Sequence, residues 1–322
     1  MNLKELTNKV LSGEQITKEE AIFLYEQPLL ELCEGANKIR QHFCDNQFDL
    51  CTIINAKSGC CSENCKFCAQ SAHNHTCIEK YPLLSKEEIV SQARKNHEQG
   101  VLRYSIVTSG KKLSDAEVDN MCEAIREIKE KVGISVCVSF GLLNKEQFQK
   151  LKEAGVTRVH NNLETSPGNF PNICTSHTFE DKVQAIKAAK EAGLSVCSGG
   201  IMGLGETAED RIDMAMCLRE LHIKSVPVNM LNPIPGTPLA HNKPLTEEDM
   251  RRIVAVYRFI LPKASIRLAG GRGLLPDKGL GCFISGANAA ISGDMLTTAG
   301  ITTKTDMELL DKLGYEARMC NE

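Results

Sequence analysis

The chain has 322 residues, 42% hydrophobic and 25% charged, and 38 basic against 41 acidic side chains give a formal charge of -3. That balance excludes a disordered chain, and a length about twice the common domain size fits two ordinary domains or one large α/β barrel. Mixed charge without a long Lys/Arg run, and 5% aromatic residues with no Trp, exclude the basic, stacking surface of a nucleic-acid binder.

The amino terminus alternates charged with single apolar residues and lacks the apolar stretch of a secretory signal; no run elsewhere reaches about 18 apolar residues. The expectation is a cytoplasmic protein with no membrane segment. Fifteen cysteines in a reducing compartment point to metal ligation or catalysis rather than to a disulfide framework, and the odd count agrees.

In chain order, residues 1–44 form a helical extension, with Thr17 and Glu20 at the spacing of a helix start. From 45 to 300, short β-branched runs alternate with amphipathic stretches, the pattern of strand-helix units on a parallel sheet. Strands are expected at 51–56, 103–107, 135–139, 158–163, 195–201, 226–231, 265–268 and 283–287. Ser85 with Glu88, Ser114 with Glu117 and Thr246 with Asp249 open helices, and Gly100, Gly133, Gly155 and Gly193 stop them. Thr305 with Glu308 opens a last helix in a carboxyl-terminal helix and tail, 301–322. Eight such units without a Pro/Ser/Gly linker predict a (β/α)8 TIM-type barrel, with an open doubly wound sheet as the alternative. In a barrel the chemistry belongs at the carboxyl ends of the strands.

Immediately after the first expected strand come Cys61, Cys65 and Cys68, a C-x3-C-x2-C spacing on one loop. A cubane iron-sulfur cluster has four irons, so three thiolates leave one iron open to a ligand that is not protein. The alternative is a structural zinc completed by His73, His75 or Cys77.

This triplet, on the loop after a barrel's first strand, resembles that of the radical S-adenosylmethionine enzymes. The resemblance implies a 4Fe-4S cluster whose open iron is chelated by S-adenosylmethionine, and a 5'-deoxyadenosyl radical that removes hydrogen from an unactivated carbon. Phe67 then lies where the superfamily carries an aromatic against adenine.

Five further segments, Asn55-Ala-Lys-Ser-Gly, Asn161-Asn-Leu-Glu-Thr-Ser-Pro, the stretch from Val196 to Thr207, Val226-Pro-Val-Asn-Met-Leu and Ile266-Arg-Leu-Ala-Gly-Gly-Arg, are similar to the biotin synthase family. That implies sulfur insertion into dethiobiotin, an electron donor such as flavodoxin or ferredoxin, and a homodimer. It also implies a sacrificial auxiliary iron-sulfur cluster inside the barrel. Cys51, Cys137 and Cys197, on strands one, three and five, would converge in the lumen with Arg267, and Cys44 is a further candidate ligand. A guanidinium cannot lose its proton, so burying Arg267 demands an anionic partner. Ser105 stands where the two-iron (2Fe-2S) form carries a cysteine. The chain is therefore similar to the anaerobe branch, whose auxiliary centre is a four-iron cluster with an extra sulfide.

By the same resemblance Asn162 and Glu164 hold the cofactor's ribose with help from His177, and Gly199 and Gly200 admit its amino end. Asn229 and Asn162 suit the ureido group of dethiobiotin, and Thr297 and Thr298 its carboxylate. Two other readings stand beside this one: a radical enzyme acting on another small molecule, and a non-catalytic iron-sulfur or zinc scaffold.

Overall fold

The structure, a computed structural model, describes residues 2–320. Its strands are β1 (Gln47–Lys57), β2 (Arg103–Thr108), β3 (Ser135–Ser139), β4 (Arg158–His160), β5 (Ser195–Cys197), β6 (Gly200–Met202), β7 (Ser225–Met230), β8 (Ser265–Leu268), β9 (Ala289–Ser292) and β10 (Glu316–Ala317). All pairings are parallel, and β9 returns to β1 through Cys51 opposite Ile291, which closes the barrel. The open-sheet alternative is thereby excluded.

The expected fifth strand divides into β5 and β6. Ser198 and Gly199 break the run, so β5 reaches β7 only at Cys197–Ser225, and the pairing resumes at Gly200–Val228. The eighth strand is a correction. Residues 280–283 form a short helix, Leu280–Phe283, and the barrel closes with Ala289–Ser292. The chain leaves that helix through Gly286 at φ 118° and pairs only from Ala289, opposite Asp49 and Arg267, so this tertiary pairing overrides the β-propensity of Phe283 and Ile284.

The helix starts at Thr17, Ser85, Ser114 and Thr246 are all capping boxes. The last helix starts three residues before its expected place, with Thr302 as the cap that accepts from the Thr305 amide. Leu6, Val10, Leu24, Leu32 and Ile39 of the extension share one apolar cluster with barrel residues such as Ile106 and Val254. The extension is thus a buttress of the same core. At the other end, β10 pairs with the start of β1, and Arg158 Nη2 donates to the Cys320 carbonyl at 3.0 Å, so the tail closes the barrel floor. No helix among the described residues is long and apolar enough to cross a membrane.

Candidate active site at the barrel mouth and lumen

β1 delivers the chain to the barrel mouth, and the loop after it carries the three cysteines. Cys60 takes a left-handed conformation, φ 52°, that leaves its own side chain exposed. The loop is rigid: the Cys61 amide donates to the Gln70 carbonyl at 3.1 Å, and Asn74 Nδ2 donates to the carbonyls of Cys65 and Cys68. Among the described residues, only Cys65, Cys174 and His177 bring ligand atoms within 4.8 Å of one another. Cys61, Cys65 and Cys68 are therefore spread wider than the coordination sphere of one zinc, whose thiolates lie about 3.8 Å apart at bonds of about 2.3 Å. The residues of the zinc alternative do not gather: His73, His75 and Cys77 are exposed, and His73 Nε2 meets the Ser62 carbonyl.

Against Cys65 packs a group that the sequence did not reveal. Cys174 Sγ lies 3.7 Å from Cys65 Sγ and 3.3 Å from His177 Nδ1, and that same Nδ1 lies 2.6 Å from Glu63 Oε2. The Cys65 thiol donates to Cys174, which holds Cys174 down at about 5 and Cys65 well above the ordinary thiol range. His177 thus turns one ring nitrogen to Glu63 rather than to the mouth.

The end of β4 presents Asn162 and Glu164. Glu164 has φ 70°, a conformation that costs a non-glycine residue energy and is held by two bonds: its amide donates to the Gly199 carbonyl, and its carbonyl accepts from the Ile201 amide. Asn162 Nδ2 donates to the Glu164 carboxylate at 3.3 Å, and burial pushes that carboxyl above its usual range. A Cβ on Gly199 would strike the Pro227 carbonyl, and one on Gly200 the Glu164 carbonyl and the Met214 sulfur. These glycines are thus demanded by the crossing of β4, β6 and β7, whatever binds above them.

Asn229 clamps the same junction, donating to the Gly200 carbonyl and accepting from the Gly270 amide. One amide hydrogen and one lone pair remain for a ligand. Phe67 packs on the apolar group of Ile173, Leu204 and Leu231. Thr298 lines a mouth cavity of about 400 Å³ with Ala269, Arg272 and Met295; Thr297 is its half-buried neighbour.

The lumen below is unlike the usual filling of branched apolar residues. Cys51, Cys137, Cys197 and Arg267 line one cavity, together with Ser105, Arg103, Arg158 and His160. Arg267 Nη1 donates to Cys51 Sγ at 3.2 Å and to the carbonyls of Asp49 and Ala290, while Nε is buried without an acceptor. Cys197 Sγ meets Ser225 Oγ at 3.2 Å. Burial pushes the Cys137 thiol up to about 12, eased by the Ser105 hydroxyl.

Cys44 stands apart from this set. It lies outside the lumen, beside the Pro262 carbonyl and Arg258 Nη1. The anion expected for Arg267 is in part the protein's own: Asp49, fully buried, has Oδ1 2.9 Å from Nη2. Burial would raise the Asp49 carboxyl, but Arg267, Arg103 and Arg158 outweigh it and hold it below its ordinary range. Period-two alternation carries the signal for these residues, since Asp49 shares the face of Cys51, Arg103 that of Ser105, and Arg158 that of His160.

Three thiols and a guanidinium with an unused N–H form a donor set for an anionic sulfide-bearing group. The arrangement as a whole places cysteines at two levels, three on the loop at the mouth and three lining the lumen.

The Radical SAM superfamily matches residues 56–218, and the Biotin and Thiamin Synthesis associated domain matches residues 227–316. The biotin synthase of Brachyspira hyodysenteriae is 59% identical over 319 residues, covering 99% of this chain and 96% of that protein. The biotin synthase of Akkermansia muciniphila is 60% identical over 314 residues, covering 98% of each. Among solved structures, methylornithine synthase superposes with a TM-score of 0.84 at 22% identity, covering 98% of this chain and 97% of that one, a likeness of fold.

Proposed function

The chain belongs to the biotin synthase family of radical S-adenosylmethionine enzymes, and from that premise we propose how its residues divide the work of inserting sulfur into dethiobiotin. Cys61, Cys65 and Cys68 hold the 4Fe-4S cluster, which together with S-adenosylmethionine supplies the hydrogen-abstracting radical. Asn162 and Glu164 take the cofactor's ribose diol, Phe67 borders its adenine, and Gly199 and Gly200 leave room for its amino end. Asn229 offers its remaining N–H and lone pair to the ureido group, and Thr297 and Thr298 receive the carboxylate. His177 acts from behind the cysteine loop, through Glu63 and Cys174, rather than by reaching the cofactor.

We further propose that Cys51, Cys137, Cys197 and Arg267 hold the auxiliary iron-sulfur cluster that gives up the sulfur. The observation that carries this is their convergence on one lumen cavity, with Arg267 Nε unpartnered. Ser105 occupies the place of a ligand of the two-iron form while Cys51 joins the lumen set, so we take the four-iron form with an extra sulfide; Cys44, outside the lumen, is not among its ligands. Arg267, held by Asp49 and two carbonyls, stays charged throughout and orients the group it faces. The electron donor is a flavodoxin or ferredoxin, and the functional unit a homodimer.

Anaerobically reconstituted protein tests this. About eight irons per chain support the four-iron form, and about six the two-iron form. Cys65→Ala is expected to abolish S-adenosylmethionine cleavage, and Cys197→Ala to keep cleavage while losing biotin. Biotin formation surviving in Cys197→Ala would overturn the lumen assignment.

A further inference from the structure

Cys174, His177 and Glu63 are not consumed by the reading above. Cys174 stands 109 residues from Cys65 in sequence, and the two segments are stitched together. Asn64 Oδ1 accepts from the amides of Thr175 and Ser176, the Asn64 amide donates to Ser176 Oγ, and the Lys66 amide donates to the Ile173 carbonyl. The stitching sets Cys174 Sγ, on a buried residue, 3.7 Å from Cys65 Sγ, within reach of one S–H hydrogen bond.

The other acceptors around Cys174 are already engaged. Asn64 Oδ1, 3.4 Å away, has both lone pairs on the two amides. Ser176 Oγ, also at 3.4 Å, accepts from Asn64 and donates to Glu63. His177 Nδ1 lies 2.6 Å from the Glu63 carboxylate, so Nδ1 carries the hydrogen and has no lone pair for Cys174. As a free thiol, Cys65 is the donor of the sulfur pair. Bound to iron it is a thiolate and only accepts. The donation that lowered the Cys174 thiol then ends, and the hydrogen between the two sulfurs comes from Cys174.

We propose that Cys174 is a positioning residue for the mouth cluster, whose thiol donates to the iron-bound Cys65 sulfur and so raises the cluster's reduction potential. This rests on the assignment of Cys65 to that cluster. Reduction adds the charge of one electron to the cluster and its sulfurs, and a hydrogen bond to a ligating sulfur is stronger in the more negative state. The donor therefore favours the reduced form, the one that delivers an electron to S-adenosylmethionine, and brings it within range of a weaker protein reductant.

The test uses the full chain, reconstituted anaerobically, in a potentiometric titration with dithionite followed by electron paramagnetic resonance. The mouth cluster is recognised as the reduced signal that S-adenosylmethionine perturbs, and potentials are read before the cofactor is added. Cys174→Ala should lower the potential by about 59 mV, a tenfold fall in the one-electron reduction equilibrium. Cys174→Val, a second variant without a donor, should do the same, and Cys174→Ser, which keeps a donor, should stay near the parent value. Cys60→Ala removes an exposed thiol beside a cluster ligand and should change nothing.

Equal potentials in the parent, Ala and Val chains, all with the S-adenosylmethionine-sensitive signal, would overturn the proposal alone. So would an equal fall in Cys174→Ser, because packing or water entry would then set the potential. Loss of iron in the Ala and Val variants but not in the Ser variant would also overturn it, by making Cys174 a residue of cluster assembly. A parent chain whose reduced signal ignores S-adenosylmethionine would remove the assignment of Cys65, and the proposal with it.

Discussion

Arg267 and Asp49 form a fully buried ion pair across the closing seam of the barrel, Nη2 to Oδ1 at 2.9 Å, with Arg267 on β8 and Asp49 near the start of β1. Removing one member of such a pair strands the other in a low-dielectric site, at a cost of about 3–5 kcal/mol. Asp49→Ala is expected to destabilise by about that amount in urea unfolding, and Arg267→Met by less, because Arg158 Nη1 still reaches Asp49 at 3.5 Å. A double-mutant cycle should return a coupling of at least about 1 kcal/mol. Additive losses would mean that the two charges are stabilised separately.

Gly199 and Gly205 lie on neighbouring turns and should respond oppositely to a methyl group. Gly199→Ala drives a Cβ into the Pro227 carbonyl, where only backbone can yield, and a loss above about 4 kcal/mol is expected. Gly205 has φ 99° but nothing within 4 Å of its missing Cβ, so Gly205→Ala should cost only backbone strain, about 1–3 kcal/mol. Soluble yield and melting temperature read the contrast. If the two variants melt alike, close packing is not why the strand bears a glycine at 199.

These two sites mark what the sequence discloses. Local signals carried well: every predicted capping box that lies between barrel strands is present, because the hydroxyl and the acid act within one turn. The convergence of Cys51, Cys137 and Cys197 followed from their places on strands one, three and five of a closed barrel. The lumen arginines and Asp49 were within reach of the same argument, but β1 begins four residues before its expected start, so Asp49 fell outside it. The eighth strand misled because Phe283 and Ile284 look like a strand while Ala289 and Ala290 do not. Of the Cys174–His177–Glu63 group only the C-x2-H spacing of Cys174 and His177 was visible, since its contacts to Glu63 and Cys65 span more than 100 residues.

Lys57 at the end of β1 holds Glu117 at 2.6 Å, tying the start of the cysteine loop to the helix Asp115–Lys131. Burial would raise the Glu117 carboxyl, but Lys57 and the Ser114 cap outweigh it and bring it below its ordinary 4.5. A lowered acid contributes stability that is complete above that ordinary value and is lost as pH falls through the folded-state value. Glu117→Gln should therefore flatten the stability curve below about pH 4.5 and cost about 0.5–1 kcal/mol at neutral pH, the range for a partly exposed pair. Urea midpoints between pH 3 and 7 check this. A parallel downward shift at every pH would instead assign the loss to the helix cap.

Arg272 and Asp306 join the mouth to the carboxyl-terminal helix Thr303–Leu313, with Arg272 Nη2 on both Asp306 oxygens at 2.7 and 2.8 Å and both residues buried. Arg272 Nε and Nη1 are buried without partners, and the residue lines the mouth cavity beside Thr298. One guanidinium therefore serves two places: its ion pair anchors the helix, and the residue also lines the mouth cavity with Thr298. Asp306→Asn keeps the shape and removes the charge, leaving Arg272 uncompensated at a cost of about 3–5 kcal/mol. Because the pair is the helix's charged anchor, the loss should be local first. Amide exchange in 303–313 should accelerate well before the barrel strands respond, whose exchange is limited by global unfolding. Uniform acceleration across both would mean that the terminal helix and the barrel open as one unit, and that Asp306 supports the whole fold.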